Sequence, residues 1–271
     1  MILVDTHSHI YAEEFDADRN EALQRAREAG VRQLLLPAID SESHSRMLSL
    51  AHTEPDYCRA MMGLHPTSVN DNPRWREELA LVRDYLTATK GKYSFCAVGE
   101  IGLDYYWSRD FVAEQREAFV VQCRWAVELN LPVVIHTREA WGDMVELLEQ
   151  ESLRAKEQGG RLRGVLHAYS EDAATYERLC QAGDFLFGIG GVVTYKKSKV
   201  AEAVAAMDVG RLLLETDCPY LTPVPHRGKR NESSYVRYVC ERVAEIKGVA
   251  AEEVALQTSK NACRMFGITI D

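Results

Sequence analysis

Histidines and carboxylates gather at a few short sites along this 271-residue chain. The first is Asp5-Thr6-His7-Ser8-His9. On an extended strand residues i and i+2 point to the same face, so His7 and His9 can approach one cation together. His65 closes Gly63-Leu64-His65-Pro66, and Glu100 and Asp104 stand in Gly99-Glu100-Ile101-Gly102-Leu103-Asp104. His136 opens His136-Thr137-Arg138, His167 follows Leu166, and Glu215-Thr216-Asp217 follows Leu214. A lone HxH is more often two surface histidines than a metal site. Here His136 and His167 also close apolar runs, and Glu100 and Asp217 stand directly behind two more. Histidine is the commonest metal ligand, and a mixed imidazole and carboxylate set suits Zn, Mn or Fe and admits Mg less readily. His44 and His52 fall in a helical stretch with no partner motif and read as solvated.

Elements that would position these groups follow from hydropathy. Short apolar runs cover residues 2–5, 33–37, 59–63, 95–99, 132–135, 164–166, 185–188 and 211–214. Helical spacing separates most of them. Ala118, Val121, Trp125 and Leu129 recur at three- and four-residue steps ahead of a stop at Asn130, and Val236, Val239, Cys240, Val243 and Ile246 do so ahead of Gly248. Residues 19–29 form a third such segment, ending at Gly30, while 70–75 and 222–231 read as long loops. Repeated βα units predict a closed parallel (β/α)8 barrel of the TIM type, one unit over residues 1–271, with an open doubly wound sheet as the alternative. In a barrel the C-terminal strand ends converge on one mouth, and the polar groups all fall at those ends.

Composition narrows the partners. The chain is 46% hydrophobic and 27% charged, with a formal net charge of −9. That balance argues against a surface that coats nucleic acid electrostatically. A compact positive pocket remains open, because salt screens charges beyond about 8 Å. Seven cysteines without a CxxC pair read as free thiols in a reducing compartment, and no apolar run is long enough to span a bilayer, so the expectation is a cytoplasmic protein. Just beyond Asp217, Arg227, Lys229, Arg230 and Asn231 form a basic loop, read either as a solvated charge cluster or as a phosphate clamp beside the metals. Trp75, Tyr105, Tyr106 and Trp107 fall in loops on the same side, to stack on bases or to pack the rim.

The segments VDTHSHI, GLHP, VGEIGLDY, PVVIHTREA, GVLHAYS and ETDCPYLTPVPHRGKRNES, with a weaker tail of Thr258, Asn261 and Phe266, resemble the TatD family of metal-dependent deoxyribonucleases, a branch of the amidohydrolase-like barrels. The resemblance runs in order over essentially the whole chain. It implies two adjacent divalent cations, with Zn, Mn and Mg all open. His7, His9 and Asp217 would bind one, His136 and His167 the other, and Glu100 would bridge them. His65 would contact the scissile phosphate or leaving group, and Glu215 and Asp104 would support the ligands or add to them. The sixth-strand motif departs from the family: Ala168-Tyr169-Ser170-Glu171 stands where Cys-Phe-Ser-Gly is usual, which places an acidic Glu171 near the mouth.

The implied reaction is hydrolysis of DNA phosphodiesters by metal-activated water, on single strands or ends, with Asp217 orienting the nucleophile and accepting its proton. Coordination lowers the pKa of water from about 15.7 towards roughly 7, worth up to about 12 kcal/mol. A side-chain base supplies about 3–5 kcal/mol, so the metals carry the larger share. Two dications set against Glu100 and Asp217 would leave the centre positive. The competing activity is an amide, lactone or phosphotriester hydrolase on the same barrel. Many such relatives bridge their metals with a modified lysine, and no lysine closes an apolar run here. A binding or scaffold protein without catalysis is a further alternative, though nothing obvious is missing from the ligand set.

Overall fold

The structure, a computed structural model, describes residues 1–87 and 93–270. Parallel strands alternate with helices in the order β1 (Leu3–Asp5), α1 (Arg19–Glu28), β2 (Val31–Leu36), α2 (Ser41–Thr53), β3 (Cys58–Ala60), α3 (Trp75–Thr87), β4 (Val98–Asp104), α4 (Val112–Leu129), β5 (Val133–Arg138), α5 (Trp141–Glu157), β6 (Arg163–Leu166), α6 (Ala173–Ala182), β7 (Asp184–Ile189), α7 (Val200–Ala206), β8 (Leu212–Leu214), α8 (Val236–Lys247) and α9 (Ala251–Phe266). Ladders join β1-β2-β3 and β4-β5-β6-β7-β8. Backbone hydrogen bonds close both seams. Cys96 and Gly99 donate to Ala60 and Met62, and Met62 donates to Ala97, joining β3 to β4. Thr6 donates to Leu214 and Asp217 to His7, and Ser8 bridges Cys218, joining β8 to β1. The architecture is the predicted (β/α)8 barrel rather than an open sheet.

Two apolar layers hold the ring. The inner one takes a residue from each strand or its edge, such as Val4, Leu35, Val134 and Leu213, and packs them on Ala262, Met265 and Phe266 of α9. Ser259 donates to Ile2 O, Arg163 to Met265 O, and Asn261 to Val209 O and Leu212 O. Those partners lie at the starts of strands, so α9 seals the N-terminal end and leaves the opposite mouth open. The outer layer packs strands against the surrounding helices. Among the described residues no helix is long and apolar enough to cross a membrane.

Helix stops fall where the sequence places them: Gly30, Asn130 and Gly248 take left-handed backbone with φ of 91°, 54° and 67°. The strands differ more. β4 runs to Asp104 and β5 to Arg138, beyond the predicted ends at residues 99 and 135. Polar side chains at the mouth interrupt the apolar pattern, but the backbone ladder continues beneath them, pairing Gly102 with His136 and Asp104 with Arg138. β3 is shorter than its apolar run, ending at Ala60. Trp75 is not in a loop: it opens α3, buried beneath the Arg76 guanidinium. His44 is not solvated either. It is buried edge-on to Tyr85, and burial lowers its pKa.

Gly102 decides how closely β4 and β5 approach. Its φ is +153°, and a Cβ there would stand 1.9 Å from His136 O. Gly102→Ala forces the ladder apart at the strand that carries His136. The expected cost is about 3 kcal/mol, a fall of roughly 6–12 °C in melting temperature for a chain of this size. Calorimetry checks it, and a shift under about 2 °C would show that the ladder relaxes freely.

Candidate metal centre

His7 and His9 follow β1, and their Nε2 atoms lie 3.2 Å apart. Glu100 Oε2, from β4, stands 3.1 Å from His7 Nε2 and 3.7 Å from His9 Nε2. Asp217 Oδ1, beyond β8, stands 3.7 and 3.5 Å from the same two atoms. A tetrahedral cation bound at about 2.1 Å requires ligand separations of about 3.4 Å. The separations found here bracket that value. The other oxygen of Glu100 faces a second group: His136 Nδ1 at 3.1 Å, His65 Nε2 at 3.6 Å and His167 Nε2 at 3.8 Å. His167 Nε2 also lies 3.7 Å from Asp217 Oδ1. The groups His7-His9-Asp217, His7-Glu100-His167 and His65-Glu100-His136 each converge to within 4.8 Å.

Outer partners set which ring nitrogen faces inward. Tyr11 Oη donates to Pro37 O at 2.6 Å, so its oxygen is left to accept from His9 Nδ1 at 2.9 Å. The lone pair of His9 Nε2 then faces the cluster. His167 Nδ1 meets Glu215 Oε1 at 2.8 Å, and His136 Nε2 meets Asp104 Oδ2 at 2.9 Å. Each pairing turns the remaining nitrogen toward Glu100. Room for Glu215 comes from Gly188, where a Cβ would stand 2.0 Å from Glu215 Oε2. His65 is arranged the other way. Its Nδ1 accepts from Thr67 N, so in the neutral ring Nε2 carries the proton that points into the site.

Burial and charge oppose each other across the cluster. Burial alone would raise Glu100, but the charges of His7 and His65 and a hydrogen bond from His136 hold it well below the usual carboxylate range. Asp217 is lowered against its own burial by His167, His9 and His7. Burial lowers His7 and His65. Burial also works against a proton on His136 and His167, yet Asp104 and Glu100 lift the first to about 9, and Glu215 and Asp217 lift the second to about 10. The cluster therefore draws protons onto two imidazoles to offset its carboxylates. Divalent cations meet the same demand, and the donor set fits them.

Four carboxylates take part rather than two, because Asp104 and Glu215 contact the histidines directly. Asp104 and Glu215 add two carboxylates to the Glu100 and Asp217 counted from the sequence, which lowers the positive surplus expected for a cation-loaded centre. Attraction for an anion has to come from elsewhere on the mouth.

The centre lies in a cavity of about 640 Å³, lined by His9, His65, Glu100, His136, His167 and Asp217 together with Trp107, Arg138 and Tyr220. Arg138 supplies the cation at this wall. Its guanidinium sits 3.5 Å above the Tyr106 ring and 5.6 Å from Trp107. Trp107 and Tyr106 are exposed, whereas Tyr105 is buried with its hydroxyl donating to Asp143. Of the basic loop, Arg227, Lys229 and Asn231 do not line the cavity. Asn231 is fully buried and donates to Thr216 O and Tyr220 O, so it pins the loop behind Asp217 instead of meeting substrate. Arg230 pairs with Asp18 over the Phe15 ring. Glu171 does not line the cavity, and the Lys199 charge acts against its burial-raised pKa.

Three positioning groups take a role that the sequence did not assign. Gln122 on α4 accepts from Leu64 N and donates to Leu64 O, fixing the segment that presents His65. Gln115, two helical turns earlier on the same face, makes the same pair with Asp104. Their signal is two amides spaced seven apart on an otherwise apolar helix face. Asp5 is fully buried, accepts from Thr216 N and Oγ1, and ties β1 to the strand end before Asp217. Burial pushes its pKa up to about 7.

The family described as TatD related DNase matches residues 4–267. An uncharacterized metal-dependent hydrolase of Bacillus subtilis (strain 168), YabD, is 38% identical over 98% of this chain and 100% of its own length. A protein of Erwinia tasmaniensis named 3'-5' ssDNA/RNA exonuclease TatD is 31% identical over 98% and 100%. The crystal structure of YJJV, a TatD homolog from Escherichia coli K12, superposes with a TM-score of 0.86 at 29% identity, covering 98% of each chain. A barrel with this mouth, matched along its whole length, belongs to the TatD-related DNase family of metal-dependent hydrolases.

Proposed function

We propose that the centre holds two divalent cations and hydrolyses phosphodiester bonds of single-stranded nucleic acid, with DNA as the first substrate and a strand end as the point of attack. The observation that carries this reading is Glu100, whose two oxygens each face a separate set of imidazoles. His7, His9 and Asp217 would hold one cation, His136 and His167 the other, with Glu100 between them. Bound cations supply Lewis-acid charge at a phosphoryl oxygen and acidify a water nucleophile. Asp217 would take up a proton from an attacking water at Oδ2, the oxygen not directed at the imidazoles. His65 presents Nε2–H to the scissile group, held in that tautomer by Thr67 N. Asp104 and Glu215 keep His136 and His167 oriented.

Substrate class follows from the rim. Arg138 meets an anion at a mouth with no other net positive charge, and Trp107 and Tyr106 offer faces on which unpaired bases stack. Glu100 holds the place where a lysine would bridge, and among the described residues no lysine lines the cavity, which weighs against the amide, lactone or phosphotriester reading. The exonuclease named among the Erwinia relatives agrees with a strand-end substrate. Seven free thiols accord with a reducing compartment such as the cytoplasm.

Asp217→Asn keeps the shape of the site and removes the proton acceptor. Its kcat/KM on a single-stranded oligonucleotide is expected to fall by at least about 10²-fold with the far-ultraviolet spectrum unchanged. Activity kept in this variant, or after thorough chelation, overturns the reading. Arg138→Ala removes a charge-assisted hydrogen-bond donor worth about 1.5–3 kcal/mol. A loss of about 10- to 100-fold in kcat/KM on oligonucleotides is expected, with a much smaller loss on a neutral lactone or ester if any such activity exists. Hydrolysis of neutral substrates alone would instead favour the amidohydrolase reading.

A further inference from the structure

Five cations on the loops after β7 and β8 are unused by the metal centre. Lys196, Lys197 and Lys199 lie on the first loop, Arg227 and Lys229 on the second, and all are exposed. Several exposed arginines elsewhere are neutralised, Arg178 by Glu149 and Arg264 by Asp184 for example. Among the described residues none of these five lies within 4.0 Å of a carboxylate oxygen. In a chain of net charge −9 such a group stands out. The loops are also held together. Tyr195 Oη donates to Thr222 O, Val224 N donates to Thr194 Oγ1, Thr222 Oγ1 donates to Lys229 O, and the Arg227 guanidinium lies 4.2 Å above the Tyr195 ring.

The ridge lies next to the catalytic cavity. Val192 and Leu221 line that cavity, while Thr194, Tyr195 and Val224, a few residues further along the same loops, line a second groove of about 440 Å³. Two acids in that groove are matched by arginines, Glu241 by Arg237 and Glu245 by Arg242. His226 stacks on Tyr235 at 4.3 Å with the planes 7° apart, and Tyr238 flanks both. Loops after the seventh and eighth strands are a recurrent phosphate site of (β/α)8 barrels. Cations interleaved with aromatic rings are what a single strand needs from a sequence-independent track.

We infer that the 195–199 and 226–229 loops form a phosphate track that holds the part of a single-stranded nucleic acid lying outside the metal cavity. The inference rests on the proposed nuclease reading for its substrate class. It assigns the basic loop a role away from the scissile phosphate and gives Lys196, Lys197 and Lys199 a role in binding the strand. The track acts on long substrates only, since a small diester never reaches the ridge.

Two variants test this, Lys196→Ala/Lys197→Ala/Lys199→Ala and Arg227→Ala/Lys229→Ala, both in the metal-loaded protein and confined to exposed side chains. Binding of a labelled phosphorothioate single strand of about twelve nucleotides is followed by anisotropy between about 50 and 200 mM salt. Hydrolysis of bis(p-nitrophenyl) phosphate is measured alongside. The expected result is about tenfold weaker binding and a log Kd against log salt slope shallower by about 0.7 for each phosphate that the variant no longer neutralises, with diester hydrolysis unchanged. Unaltered affinity and slope overturn the track, and so does a parallel loss on the small diester. A wild-type protein that binds the strand through the ridge but never cleaves an oligonucleotide would keep the track and remove the nuclease reading.

Discussion

Everything at the mouth depends on charge balance in a buried space. Glu100, Asp104 and Glu215 are almost fully buried and Asp217 lies beside them. Isolated carboxylates in such surroundings cost several kcal/mol each, so the barrel cannot close around them unless positive charge enters with them. Protons on His136 and His167 meet part of that demand, and divalent cations are able to meet it as well. The rest of the design follows. Tyr11, Asp104, Glu215 and Thr67 choose the inward nitrogen of four separate rings. Gln115 and Gln122 fix the backbone that carries the strand ends. Metal affinity is in this sense built from the second layer outward.

A neutral centre has a consequence for recognition. With two cations matched by four carboxylates, as the proposed function has it, the site would polarise a phosphate without trapping it by net charge. Binding then belongs to groups placed around the centre. Arg138, stacked on Tyr106, stands at one wall, and the lysine ridge lies beyond the Val192 and Leu221 side. Separation of these tasks favours turnover, since tight binding of ground and transition states alike lowers KM without raising kcat.

The candidate ligands were legible in the sequence because they interrupt apolar runs. His7, His9, Glu100, His136, His167 and Asp217 each break a hydrophobic pattern where a barrel has its mouth, and the structure brings all six together. The same interruption hid the true strand ends, since a ladder continues under a polar side chain as readily as under an apolar one. Residues whose role depends on distant backbone were not legible. Gln115 and Gln122 stand seven apart on an apolar helix face, but what they hold is set only when β4 and the segment after β3 pack on them. Asn231 sits in a basic loop, yet its amide is spent on Thr216 O and Tyr220 O. Arg138 stood in a motif already noted for His136, and only the fold shows it beside Trp107 in the cavity wall.

The proposed polyanionic substrate does not conflict with an acidic chain once distance is considered. At physiological ionic strength a surface charge is largely screened beyond about 8 Å, so the net charge of −9 is not what an approaching strand encounters. It meets the local field. Over the loops after β7 and β8 that field comes from Lys196, Lys197, Lys199, Arg227 and Lys229, and the acids of the neighbouring groove are held by arginines. Negative charge spread over the remaining surface repels duplex and strand alike from unproductive faces. On the proposed function, the same residues that make the protein acidic overall would help direct a flexible anion to the metal-centre mouth.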